Sequence, residues 1–176
     1  VDPALNLTAS AEELGVQTLA AFFNSRLAEE IITEHGLAKV VVANFVVANV
    51  DDLDDFIDGV EKVLAPGGVF VIETNYVSDI VSKLLIETLV HEHLSYFSVV
   101  SLSGYLERHG LEIFDVVRVP SKAGSLRCYI QRKRSKISIQ PSVYSTRHFE
   151  MSSGLFQNHV WNGFSRTLLD IRKSIV

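Results

Sequence analysis

The segment VHEHLSYFS, at residues 90–98, concentrates the side chains best suited to proton transfer or metal binding. His91 and His93 bracket Glu92, in a chain of 176 residues that has only 6 histidines. Imidazole exchanges a proton near neutral pH, and a neighbouring carboxylate can fix its tautomer and raise its basicity. These three residues could therefore form a proton-transfer site, bind a metal, or serve as polar residues of a turn.

Metal binding is the weakest of these three interpretations. His91 and His93 would share a face only in an extended segment, and zinc sites use three or four protein ligands. The chain has one cysteine and no HExxH helix, so the remaining ligands would have to come from distant segments. We therefore expect no metal site.

Composition limits the classes of partner. The formal net charge of -5 provides no basic surplus for a phosphate backbone, so we do not expect nucleic-acid binding. The longest apolar run, near residues 39–50, is too short to span a bilayer, and the first residues lack the charged n-region that is typical of a signal peptide. The single cysteine, Cys128, cannot form an intrachain disulfide, which is typical of a reducing compartment. We expect a cytoplasmic protein without membrane contact.

Alternating helices and strands must position the candidate residues. The β-branched run at residues 38–50 is typical of a strand covered on both faces, and we expect it to be the central strand. Residues 51–68 have acidic residues in the first turn, one apolar face and a Pro-Gly-Gly stop, which predict a helix. Residues 69–74 predict the next buried strand, so these segments form a right-handed crossover.

Further elements are predicted on both sides of this crossover. Before it, the patterns predict a helix at residues 11–14 capped by Ser10 and Glu13, a strand at 16–19 and a helix at 25–34. After it, they predict helices at residues 78–89 and 101–109 and an antiparallel edge hairpin of 111–120 and 125–133. We expect one domain over residues 1–137, followed by a C-terminal helical extension or linker over 138–176.

Ligands of open parallel sheets bind beyond the carboxyl ends of the strands. The residues to consider therefore follow the predicted strands: Asp2, the segment from Ala43 to Asn49, Tyr76 and the HEH turn. A carboxylate after an early strand can accept hydrogen bonds from both hydroxyls of a ribose. Asp2 could do this, or it could cap the helix that follows Pro3.

Four segments carry a family resemblance: VDPALNLTASAEELGV, VVVANFVVANVDDLDDFIDGVEKVLAPGGVFVIETNY, VHEHLSYFS and ERHGLEIFDVVRVPSKAGSLRCYI. Together they resemble the S-adenosylmethionine-dependent C-methyltransferases that act on nucleotide-linked 4-keto-deoxysugars. The resemblance implies a Rossmann-like class I methyltransferase fold of the α/β class, with a mostly parallel sheet and an antiparallel edge hairpin. It also implies truncation, because the family's zinc module and glycine-rich loop would precede Val1 and its second α/β half would follow Val176.

The resemblance implies catalytic roles. The family motif is Tyr-His-Glu-His, and its glutamate and last histidine, here Glu92 and His93, belong to the catalytic constellation. His93 is the candidate base that removes a proton next to a ketone, with Glu92 orienting it or binding sugar hydroxyls. His91, Tyr96 and Asn49 are candidate donors to the developing oxyanion.

The resemblance also implies S-adenosylmethionine as cofactor and a nucleotide sugar as substrate, and it leaves a homo-oligomer open. The cofactor candidates are Asp2, Phe22, Phe23, Ala43 and Asn44, of which the phenylalanine pair could wall an adenine pocket or pack in the core. The substrate candidates are Tyr76, Tyr96, Gly124 and Ser125. The last two resemble the family's Gly-Gly-Ser before the final strand, and a plain hairpin turn explains them equally well.

Two positions depart from the family pattern. The tyrosine before the HEH turn is replaced by Val90, and the histidine after the central strand is replaced by Asn49. Asparagine can still donate a hydrogen bond to an oxyanion, whereas valine cannot. The alternative function is therefore a catalytically impaired methyltransferase-like module that binds a nucleotide or sugar without turnover.

Overall fold

A four-stranded mixed sheet organises the chain in this computed structural model, which describes residues 1–175. The strands are β1 (Ala38–Asn44), β2 (Leu64–Asn75), β3 (Leu111–Val119) and β4 (Ser125–Arg132), and their order across the sheet is β1-β2-β4-β3. β1 and β2 are parallel, and β4 runs antiparallel to both β2 and β3. The α/β class and the antiparallel hairpin are as predicted.

The helices of the described residues are α1 (Leu5–Glu13), α2 (Ser25–His35), α3 (Leu53–Val63), α4 (Val77–Lys83), α5 (Val99–Arg108), α6 (Pro141–Ser152) and α7 (Asn158–Ile175). Side-chain caps fix several of their starts. The Asn24 side chain accepts the backbone N–H of Leu27 at 2.8 Å at the start of α2, and Asp52 accepts that of Asp55 at 3.0 Å at the start of α3. Each of these helices is too short or too polar to cross a membrane.

The apolar core lies between one face of the sheet and the helices α3, α5 and α6. Alternate residues of a strand share a face, and Phe70 and Ile72 of β2 are fully buried on this one. Ile57 of α3 and Leu102 of α5 pack into the same cluster, and Val143 adds a contribution from α6. The first half of the C-terminal extension therefore packs against the sheet; of residues 138–176, Val176 lies outside the described residues.

The prediction that residues 38–50 form the central strand was wrong in two respects. β1 ends at Asn44, because Phe45 has a φ of 55° and a short 3-10 turn then covers Val47–Asn49. β1 also lies at the edge of the sheet, and Val40 and Val42 are exposed on the face opposite the core. A β-branched run indicates a strand, but it does not show which neighbours cover the strand.

Four local predictions were also wrong. α1 begins at Leu5, so Ser10 lies inside the helix and donates to the carbonyl of Asn6 instead of capping. Residues 16–19 form no strand, and the predicted helix at residues 78–89 is split, because α4 ends before Leu84, whose φ is 55°. The Pro-Gly-Gly segment, predicted to end a helix, lies inside the amino end of β2. The predictions of α2, α3, α5 and the hairpin are confirmed.

Candidate active site

The carboxyl ends of β1 and β2 lie side by side, because the two strands are parallel and Asn44 is paired with Glu73. The segment that follows the HEH turn crosses this edge, where Tyr76 forms an isolated parallel bridge with Phe97. The loops after both strands and the segment at residues 90–98 therefore meet at one edge of the sheet. This is the edge at which α/β proteins bind their ligands.

The HEH turn is attached to the 3-10 turn that contains Asn49. The carbonyl oxygen of Ala48 accepts the backbone N–H of Leu94 at 2.8 Å and that of Ser95 at 3.1 Å. Asn49 is exposed beside this attachment, and His93 directly precedes Leu94. Two candidate catalytic residues that are distant in the sequence thus lie on adjoining turns.

A backbone carbonyl fixes the tautomer of His93. Its Nδ1 lies 2.7 Å from the carbonyl oxygen of Thr88, and a carbonyl can only accept, so Nδ1 carries the proton. Nε2 of the neutral ring then has a free lone pair. The Tyr96 hydroxyl donates to the same carbonyl at 3.2 Å, and the two rings meet edge to face with their centroids 5.9 Å apart. The half-buried imidazole is therefore oriented with its basic nitrogen unused.

Glu92 and His91 are exposed. We predicted that Glu92 could orient His93, but the Thr88 carbonyl does so, and within the described residues Glu92 accepts no hydrogen bond. Among residues 1–175, no group of three or more His, Cys, Asp or Glu side chains is arranged to hold a metal ion.

Tyr76 is 0% exposed in this structure, and its contact with substrate stays a prediction. Its hydroxyl donates to Oε1 of Glu150 at 3.0 Å. Burial, and then the Glu150 carboxylate, raise the pKa of the Tyr76 phenol well above its usual range. Tyr76 is a neutral residue that joins the carboxyl end of β2 to Glu150 of α6.

Glu150 is a residue that the sequence analysis missed. It is fully buried, and its carboxylate accepts the backbone N–H groups of Val99 at 2.6 Å and Val100 at 2.8 Å. A carboxylate is stabilised at a helix N-terminus by the unpaired N–H groups and by the helix dipole. Glu150 thus joins α6 to the start of α5 and to Tyr76, through tertiary contacts for which the sequence gives no local signal.

Gly124 and Ser125 are part of a tight turn. Ser125 is fully buried and donates to the carbonyl of Ser121 at 2.8 Å, and its contact with substrate stays a prediction. Gly124 has a φ of 155°, and a Cβ atom there would overlap the carboxylate of Asp79. That carboxylate is buried and pairs with Arg118 and, at 3.1 Å, with Lys83. The close approach that requires a glycine is therefore to Asp79.

The candidate cofactor residues fall into different environments. Asp2 accepts the N–H of Ala4 at 2.8 Å through Oδ1 just before α1, but no side chain caps that helix, so the capping alternative was wrong. Phe23 packs edge to face against Phe56, with centroids 5.4 Å apart, whereas Phe22 is 78% exposed and walls no pocket described here. Ala43 is buried and Asn44 is exposed at the end of β1.

An apolar groove of about 270 Å³ runs along the free edge of β1. Its walls include Val1, Phe23, Ala43 and Val46. Phe23 and Ala43 belong to the predicted cofactor set, and Val1 precedes Asp2 of that set. The groove therefore brings part of the set together. Phe22 lies outside this groove.

Comparison with known proteins gives three findings. Residues 1–116 match the family described as methyltransferase domain. The chain is 33% identical over 175 residues to C-methyltransferase NovU of Streptomyces niveus, a match that covers 99% of this chain and 42% of that protein. The chain thus spans less than half the length of this curated relative.

A solved structure, described as a SAM-dependent methyltransferase from Thermotoga maritima, is also similar. Its TM-score is 0.51 and its sequence identity is 15%, over 73% of this chain and 70% of that chain. At this identity the likeness concerns the fold alone, and it is consistent with the Rossmann-like sheet described above.

Proposed function

Because the chain belongs to the methyltransferase domain family, we propose that it is part of an S-adenosylmethionine-dependent C-methyltransferase that acts on a nucleotide-linked keto-deoxysugar. The similarity to the C-methyltransferase NovU supports transfer to carbon. The observation that carries the proposal is the fixed tautomer of His93, which leaves Nε2 unprotonated on a segment that is bonded to the turn after β1. Transfer of a methyl group to the carbon next to a ketone requires such a base, because that carbon must first lose a proton.

His93 would act on the carbon next to the sugar ketone. Its Nε2 takes the proton from that carbon, the electron pair moves into an enolate, and the imidazole becomes a cation. The Nδ1–H bond to the Thr88 carbonyl then persists with a more strongly charged donor, which stabilises the cation. A positioned histidine of this kind contributes roughly a hundred- to ten-thousandfold in rate.

Asn49 would donate its amide N–H to the enolate oxygen. It is exposed on the turn that is bonded to the HEH segment, so a substrate beside His93 would also lie within its reach. Preorganised donors to a developing oxyanion are among the strongest contributions to catalysis. The family's histidine at this place and the asparagine here share this donor capacity.

The described residues fit the adenosine part of S-adenosylmethionine. Phe23 and Val46 supply apolar walls of the groove along β1. Asp2 follows Val1 of this groove and uses Oδ1 for its bond to Ala4, so its other carboxylate oxygen is our candidate acceptor for a ribose hydroxyl. When bound, this cofactor supplies an electrophilic methyl group. The chain's own contribution is to hold the adenosine and to prepare the carbon nucleophile.

A second candidate function is a binding module without turnover. Val90 has no hydroxyl where the resembling family has tyrosine, and it is 39% exposed next to the HEH turn, so a polar contact is absent from this side chain. A site that had lost one donor could still bind cofactor and substrate. Binding without chemistry is therefore the outcome that would favour this alternative.

Two measurements separate these functions. The protein expressed from its complete gene is incubated in deuterium oxide with a nucleotide-linked 4-keto-deoxysugar and S-adenosylhomocysteine, and deuterium entry next to the ketone is followed by mass spectrometry. The same protein is then given methyl-labelled S-adenosylmethionine. Deuterium exchange and carbon methylation together support the proposal, because each depends on the base.

Calorimetric titration with S-adenosylhomocysteine provides the matched binding control. Saturable binding without either reaction would favour the module. A protein that showed no binding and no reaction would contradict both functions. Exchange that persists in the His93→Gln variant would show that another group is the base.

A further inference from the structure

A cleft of about 410 Å³ lies between the HEH segment and the turn that joins α6 to α7. Tyr96 and Val77 line one side, and Phe156, Trp161 and Asn158 line the other. Tyr96 also contacts the ring of His93, so the cleft adjoins the candidate base directly. Its volume lies within the range of ordinary small-molecule sites, about 300–1,000 Å³.

Two aromatic side chains of this cleft, Trp161 and Tyr96, are held in place by contacts within the chain. Trp161 donates its Nε1–H to the carbonyl of Leu155 at 2.7 Å, and its ring meets Phe164 edge to face with centroids 6.2 Å apart. Tyr96 is held by its hydroxyl bond to Thr88. Even so, 40% of Trp161 and 48% of Phe156 remain exposed. Rigid aromatic surfaces open to solvent lose little entropy when a flat ring stacks on them.

The polar groups of the cleft indicate which ring it would bind. The hydroxyls of Ser98 and Ser101 bond to each other at 3.0 Å and close a capping box at the start of α5, so they have little capacity for a sugar's hydroxyls. Asn158 is exposed at the start of α7, and its amide has both donors and an acceptor. Stacking surfaces combined with one amide match a nucleobase better than a sugar ring.

We propose that this cleft binds the nucleobase of a nucleoside diphosphate, and that the C-terminal helices thereby hold the nucleotide part of the substrate while the attached sugar extends toward His93. This inference rests on the proposed function and assigns to Phe156, Trp161 and Asn158 a role in substrate binding. It also gives the packing of α6 against the domain a functional consequence, since that packing positions the second wall of the cleft.

Trp161 is the only tryptophan among these 176 residues and lines the cleft, so the change in tryptophan fluorescence that depends on Trp161, taken as the difference from a Trp161→Phe variant, reports on the cleft. Uridine diphosphate and thymidine diphosphate are titrated into the protein, with ribose 5-phosphate and glucose as probes that lack a base. We expect saturable quenching by the diphosphates and none by the other two. Equal quenching by ribose 5-phosphate, or no quenching at millimolar diphosphate, would overturn the proposal.

Variants test the stacking contact. Phe156→Ala should weaken diphosphate binding roughly ten- to a hundredfold, the typical effect of losing one base-stacking contact. Tyr144→Ala, which changes an exposed aromatic residue on α6 outside the cleft, should leave binding unchanged. Phe156→Leu serves as the second variant if Phe156→Ala does not fold, and unchanged binding in the folded variant would contradict the proposal.

This result is separable from the test of the proposed function. Methylation of a nucleotide sugar without a response of Trp161 would refute the cleft and leave the methyltransferase proposal intact. A response of Trp161 without methylation would support the cleft and count against the catalytic proposal.

Discussion

The carbonyl oxygen of Thr88 lies 2.7 Å from Nδ1 of His93, and this contact determines which nitrogen of the ring can act as a base. We expect the His93→Gln variant to lose about two orders of magnitude or more of methyl-transfer activity, because glutamine has no basic nitrogen. The measurement is transfer of labelled methyl to a nucleotide-linked 4-keto-deoxysugar. S-adenosylhomocysteine binding should not change.

His35→Gln is the matched control for this substitution, since His35 is an exposed histidine at the end of α2. Its activity should equal that of the unmodified protein. If His93→Gln remained fully active, the proton would have to be removed by another group.

Asn49 provides a test of the proposed oxyanion donor. Asn49→Ala should lower kcat by roughly a hundredfold with little change in KM, because the interaction would strengthen only as the enolate forms. Asn49→His retains a donor and should stay within about tenfold of the unmodified protein. An equal loss in both variants would argue that the asparagine acts through its shape and not through its N–H.

Much of the sheet was predictable because local patterns determine it. The sequence of α3 has one apolar face and an acidic first turn, and that face is buried in the structure. The alternating residues of β3 and β4 likewise predicted the hairpin that these strands form. The edge position of β1 was not predictable. Whether Val40 and Val42 are covered depends on which elements pack against them, and a β-branched run is the same in both cases.

In the candidate site, too, some features were predictable from the sequence and others depend on tertiary packing. The side chains of His93 and Asn49 were identifiable from residue type and resemblance, but the partner of His93 is a backbone carbonyl, which every residue has. Tyr76 was assigned to substrate because it follows a strand, and Ser125 because of the family resemblance. Neither argument could show that both side chains are fully buried. Trp161 enters the cleft through the packing of α6 and α7, which no local pattern specifies.

The buried contact between Tyr76 and Glu150 should make the protein less stable in alkali. The pKa of Tyr76 is raised in the folded state above its ordinary value of about 10, so the unfolded chain loses this proton first as pH rises. The corresponding stability is fully present below pH of about 10 and is lost above it, with a slope of up to about 1.4 kcal/mol per pH unit.

Denaturant unfolding at a series of alkaline pH values measures this slope. The Tyr76→Phe variant should show a shallower dependence. Part of the slope should remain, because burial and the hydrogen bond to Asp54 also raise the pKa of Tyr105. Identical slopes in the two proteins would mean that Tyr76 ionises without unfolding.

Glu150→Gln tests the carboxylate that caps α5. Glutamine offers one acceptor oxygen in place of two and no charge, so a buried N–H group loses its partner. We expect the free energy of unfolding to fall by about 1–3 kcal/mol. Glu107→Gln, an exposed residue on α5, should change it by no more than about 0.5 kcal/mol. Urea denaturation measures both, and equal midpoints would contradict the capping role.

Two glycines should respond to the same substitution with opposite signs. Gly124→Ala places a Cβ atom against the Asp79 carboxylate at a backbone φ of 155°, so it should displace Asp79 from Arg118 and destabilise the fold by about 1–3 kcal/mol. Gly104→Ala lies within α5, where an added Cβ meets nothing within 4 Å, so it should stabilise the protein by up to about 1 kcal/mol. Thermal or urea unfolding of both variants measures the difference. A Gly124→Ala variant as stable as the unmodified protein would show that Asp79 can move away without cost, and the close approach would then not explain the glycine.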